Sequence, residues 1–166
     1  MRTSVRDYTT QDAGTAHRTA PQPERLDLRR LWWAGPLTVL AALGANAALR
    51  TAAVALFAIS PAFHHLAWVH FTWVTVAAVG SAVLVFAAVA RYADRPVRLY
   101  RRMAALALLV SFIPNVVLIR AEGPGSSPAA HATLLVMHVL DAAICAWLLP
   151  VLTGGREPHP RPTATG

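Results

Sequence analysis

The sequence has no lysine: all 15 of its basic residues are arginine, set against 8 acidic residues. Charged residues make up only 14% of the 166, too few to cover a water-soluble domain of that size. Cysteine is almost as scarce. With Cys145 alone, an intrachain disulfide, a C-x-x-C redox pair and a thiolate zinc cluster are all excluded. No nucleophile, base and orienting group stand at a spacing that names a reaction, so no catalytic residue, metal ligand set or cofactor is assigned. The net charge of +7 would suggest nucleic acid if the arginines formed a stripe on a soluble face. Nearly all of them instead flank apolar runs, which argues against a nucleic-acid partner and for the lipid bilayer.

What the chain does have is hydrophobic length. Residues of that class make up 55% of it and gather into segments at about 31–59, 66–90, 103–119 and 132–152. Each can cross a hydrocarbon core of about 30 Å at a rise of ~1.5 Å per residue, the third only just. The expected fold class is therefore all-α, an integral membrane four-helix bundle over residues 31–152. Residues 1–30 mix Arg with Asp7, Asp12, Glu24 and Asp27 around Pro21 and Pro23, and are expected to form a solvated, disordered tail. They do not read as a signal peptide, because the apolar run that follows is too long for one. Residues 153–166 form a second tail.

Arginine placement gives an orientation. Arg25, Arg29 and Arg30 precede the first segment, and Arg91, Arg95, Arg98, Arg101 and Arg102 lie between the second and third, where the only acid is Asp94. The other two connections carry no excess of positive charge. The positive-inside rule then places both termini and the middle connection in the cytoplasm (N-in/C-in), in a bacterial inner membrane. Trp32, Trp33, Tyr92, Tyr100 and Trp147 would mark the inner interface, and Phe63 and Trp68 the outer one. In the first segment Ala41, Gly44, Ala45, Ala48 and Ala52 supply small-residue spacings that allow close helix packing.

Arg50 and Asp141 need explaining, since a charge at the centre of a span costs roughly 2.5 to 3.5 kcal/mol even on the lenient insertion scale. Counted inward from the outer ends, Arg50 lies ~12 Å below Ile59 and Asp141 ~15 Å below His131, close enough in depth to pair across the bundle. His131, His138, Asp141 and Cys145 fall on one helical face, as do Asn46 with Arg50 and Ser111 with Asn115. The expectation is one buried polar layer made of Asn46, Arg50, Thr75, Ser111, Asn115, His138 and Asp141. Pro114 frees a carbonyl near Val110 within the third segment. Such a layer can be structural glue between helices, or it can line a ligand or ion path. His138 and His70, with His64 and His65 nearby, also raise a haem or metal reading.

Trp33-Ala34-Gly35, mid-helix Asn46, Ser60-Pro61, the stretch Leu109-Val110-Ser111-Phe112-Ile113-Pro114-Asn115 and Met137-His138 together resemble a bacterial family of four-span membrane proteins, the domain of unknown function 6069. The resemblance covers about residues 31–152 and implies an architecture without a mechanism. Arg50 and Asp141 stand outside its pattern. The leading functional expectation is a small structural or accessory membrane protein, with self-association or a membrane protein partner. One alternative is a dimeric small-solute or proton-linked transporter or sensor using Asp141. Another is a membrane haem carrier or enzyme using His138.

Overall fold

The computed structural model describes residues 26–121 and 123–154; the two expected tails lie largely outside these. Within them the chain forms four long helices, α1 (Leu31–Phe57), α2 (Trp68–Tyr92), α3 (Pro96–Ala121) and α4 (Pro128–Leu152), with short 3-10 turns at Leu28–Arg30 and His64–Leu66. All four are long and apolar enough to cross a membrane, which makes this a multi-pass membrane protein. Helices are what such segments must form, because hydrocarbon offers no partner to an unbonded amide or carbonyl. Large apolar side chains such as Leu40, Leu84, Leu106 and Val110 are exposed on the outside of the bundle, where lipid replaces water.

Local sequence sets the helix ends. Ser127 accepts a hydrogen bond from the Ala130 amide and Pro128 occupies the first turn of α4, so that helix starts four residues before the expected 132. Pro96 likewise opens α3, seven residues before the expected 103. The arginine-rich stretch 91–102 is thus not a loop. Only residues 93–95 connect α2 to α3, and Arg98, Arg101 and Arg102 ride exposed on the first turns of α3. Arginine is a good helix former and its long stem can carry the charge outward, so composition alone overstated the loop.

The helices neighbour one another in chain order around the bundle, α4 closes the ring against α1, and α2 and α4 also meet across the middle. At the end bearing the described termini, the Asp27 amide donates to the Thr153 carbonyl at 3.0 Å, which ties the start of the bundle to its finish. Here Ala42, Val79, Phe86, Tyr100, Cys145 and Leu149 form one apolar cluster, with Phe86 and Tyr100 packed edge to face. At the other end, hereafter the loop end, Ala53, Ile59, Phe63, Leu66, Ala130 and Met137 form a second. Close packing of α1 occurs at Ala34, Gly35 and Ala42, which are buried, and a Cβ on Gly35 would stand 3.1 Å from Val83. Gly44, Ala48 and Ala52 are exposed and Ala41 and Ala45 half-buried, so most of the small-residue stripe expected there faces away from the bundle. Between the two apolar clusters, at the middle of the helices, lie the polar residues.

Candidate functional site

Asn46 is the centre of this layer and is only 1% exposed. Its Nδ2 donates to Thr75 Oγ1 on α2 at 3.1 Å and to Asp141 Oδ1 on α4 at 2.9 Å. With Asp141 accepting as a carboxylate, this amide orientation spends both Nδ2 hydrogens. Asn46 Oδ1 is left buried without a hydrogen-bond partner. One short side chain thereby straps three helices together, with its own acceptor buried and unused.

Arg50 and Asp141 are not an ion pair. Arg50 Nε donates to the Leu66 carbonyl at 2.6 Å, and its guanidinium lies over the Trp68 ring, 4.4 Å from the centroid. The long side chain reaches towards the loop end, where a free carbonyl and an aromatic face compensate its charge. Asp141 keeps the neutral Asn46 amide as its hydrogen-bond partner, and no ion pair among the described residues includes it.

Nor do Ser111 and Asn115 join Asn46 directly. Ser111 Oγ donates back to the Leu108 carbonyl of its own helix at 2.7 Å. Asn115 pairs with His131, ten residues or ~15 Å along α4 from Asp141. Its Nδ2 donates to the His131 carbonyl at 3.2 Å, which makes Oδ1 the acceptor for His131 Nδ1–H at 3.1 Å. An Nδ1–H tautomer leaves Nε2 to accept from the Ser126 hydroxyl at 2.7 Å, so every partner is satisfied. The expected single layer is therefore two polar groups at different depths, with Arg50 belonging to neither.

Two cavities connect these groups. One of about 370 Å³ reaches from His65, His70 and Asn115 down to Asn46, Thr75, His138 and Asp141. A second, of about 300 Å³, runs from Asp141 and His138 towards Tyr100 and Cys145 between more apolar walls. They share Ala78, Ser111, His138 and Asp141. The result is a cleft between α2, α3 and α4 with its acid where the two cavities meet. Ala78, Ser81 and Ala107 along its flank are exposed, so it opens sideways between α2 and α3.

At the loop end Phe63 packs edge-on against His65 and His131, with ring centroids 5.4 Å away in each case. His65 Nδ1 stands 3.4 Å from His70 Nε2, and the His64 ring lies 3.9 Å from that of His65. Among the described residues no three His, Cys, Asp or Glu side chains are placed to share a metal ion. Burial, followed by the neighbouring imidazoles of His64, His70 and His131, holds the His65 pKa below its ordinary 6.5. The folded protein therefore takes up this proton less readily than the unfolded chain. Stability from His65 is complete above 6.5 and is lost as the pH falls through that value towards the lower folded pKa. Acidification from about pH 7.5 to about pH 5.5 is expected to lower the melting temperature of the solubilised protein, and less so in His65→Gln. An equal fall in both proteins would contradict it.

His65, His70, Tyr100 and Cys145 were not among the residues the sequence picked out for the layer. His65 and His70 flank a turn, and nothing in their spacing to Asn46 or Asp141 shows that one cavity joins them. The comparisons with known proteins add the family: the Family of unknown function (DUF6069) matches residues 26–154. Neither a curated protein nor a solved structure matches the chain.

Proposed function

The chain belongs to the DUF6069 family of unknown function, and from its own geometry we propose a multi-pass protein of a bacterial cytoplasmic membrane that binds a small solute or a proton in the cleft at Asp141. The observation that carries this is an acid deep in the bundle that faces a cavity and has an amide, not a cation, for its partner. Intramembrane ionisable groups lying on a cavity are characteristic of binding sites and relays. A purely structural acid would be expected to face a neighbouring helix with its charge compensated there.

In this reading both termini and the α2–α3 connection are cytoplasmic. Support comes from Arg29, Arg30, Arg91, Arg95, Arg98, Arg101 and Arg102, which gather at one end of the bundle. The loop end, with its histidines and the wider cavity, would then face outward. Asn46 has a second role that is structural, since it bridges α1, α2 and α4 whether or not the cleft is filled. The carrier version of the proposal requires a second copy of the chain, because one bundle of four helices gives little room for alternating access.

The test uses a single thiol in the cleft. In a Cys145→Ala background, Ser111→Cys places a sulfur where the two cavities meet. Methyl methanethiosulfonate, small and uncharged, is expected to modify it in the folded, membrane-embedded protein. Modification only after denaturation would show the cleft to be closed and would remove the binding reading.

A further inference from the structure

The chemistry lining the cleft restricts what can occupy it. At the join the acceptor is the Asp141 carboxylate, which takes one hydrogen bond from Asn46 Nδ2 and lines both cavities. His138, three residues from Asp141 on the same helix, adds a nitrogen that accepts when the ring is uncharged. An occupant must therefore present hydrogen-bond donors at this point. A group that only accepts would set its lone pairs against those of Asp141.

Charge narrows the choice further. Arg50 is engaged by the Leu66 carbonyl and the Trp68 ring, so the described residues bring no ion-pair partner to Asp141. A positively charged donor gains more at such a site than a neutral one, because both the hydrogen bond and the ion pair form away from water. Beyond the join the walls are Val79, Val85, Leu108, Leu134 and Met137, which suit an apolar body. Volumes of about 300 and 370 Å³ lie at the lower end of the range for small-molecule sites. Asp141 sits near the middle of α4, ~16 Å or more from either end, too deep for the headgroup of a bilayer lipid to reach.

The geometry points to a small amphipathic amine, bound as its ammonium ion, with the nitrogen against Asp141 and the apolar body lying along the cleft between α2, α3 and α4. This rests on the binding reading given above and specifies the ligand class for that site.

The experiment measures protection of the Ser111→Cys thiol, in the Cys145→Ala protein, by three molecules of the same shape: 2-phenylethylamine, 2-phenylethanol and phenylacetate. The amine is expected to slow modification by methyl methanethiosulfonate at about one-tenth the concentration the alcohol requires, and the carboxylate to give no protection. Asp141→Asn should erase the preference of amine over alcohol while leaving the thiol reactive. Equal protection by amine and alcohol with Asp141 intact, or better protection by phenylacetate, would overturn the ammonium site while leaving an accessible cleft. A thiol that stays unreactive in the folded protein with no protectant present would overturn the cleft reading and this inference together. The comparison of the three molecules needs no change at Asp141, so it stands even if Asp141→Asn fails to fold.

Discussion

Asn46→Leu is expected to destabilise the folded bundle by about 2–3 kcal/mol in a denaturing-detergent titration followed by circular dichroism. Interhelical hydrogen bonds in membrane proteins average only ~0.6 kcal/mol, so two of them alone would not reach that figure. The excess comes from Asp141, which loses the amide that donates to it and remains an acid deep in the bundle without compensation. Thr51→Ala provides the comparison: its hydroxyl bonds to Ala47 within the same helix and is exposed, so its removal should cost less than about 0.5 kcal/mol. If Asn46→Leu costs no more than Thr51→Ala, the strap between α1, α2 and α4 has no energetic reality.

Gly125→Val is the second large effect, and it acts through the loops. Gly125 has φ of 70°, and a Cβ there would stand 2.6 Å from the Phe63 backbone nitrogen. Any side chain must therefore adopt the left-handed region and push the connection between α1 and α2 away. The backbone strain alone costs about 1–3 kcal/mol, and valine, branched at Cβ, is the least able to relax. Displacing Phe63 also disturbs the ring contacts that hold His65 and His131. A loss of about 3 kcal/mol or more is expected in the same titration. At Gly123 a Cβ would meet nothing within 4 Å, so Gly123→Val should be nearly silent. Equal effects at the two glycines would show that the loops do not pack on each other as described.

Much of the architecture was legible in the sequence because lipid imposes a simple rule on length and polarity. Four apolar runs became four helices, and of the expected layer Asn46, Thr75, Ser111, Asn115, His138 and Asp141 all line one cavity. The errors have physical causes. Composition marked residues 91–102 as a connection, yet Pro96 can open a helix and arginine continues one without penalty. Counting depth along each helix placed Arg50 level with Asp141, but depth concerns backbones. Arg50 is long enough to leave its own level for the Leu66 carbonyl and the Trp68 ring, whereas Asn46 is short and must bond where it stands. Asn115 lines the same cavity as Asp141 but makes its hydrogen bonds with a different partner, His131, almost three turns nearer the loop end. Of the two readings of the layer, glue or a lined path, the sequence does not choose, since a cleft depends on how far α3 stands from α2 and α4.

Inside the bundle Asp141 has an amide, and not an arginine, as its partner. A pair of double-mutant cycles read by the same detergent titration tests this directly, one with Asn46→Ala and Asp141→Ala, the other with Arg50→Ala and Asp141→Ala. The first cycle should give a coupling of about 1 kcal/mol or more, and the second should be additive within about 0.5 kcal/mol. Strong coupling between Arg50 and Asp141, with none between Asn46 and Asp141, would restore the ion pair and leave the cleft without a charge to offer a ligand.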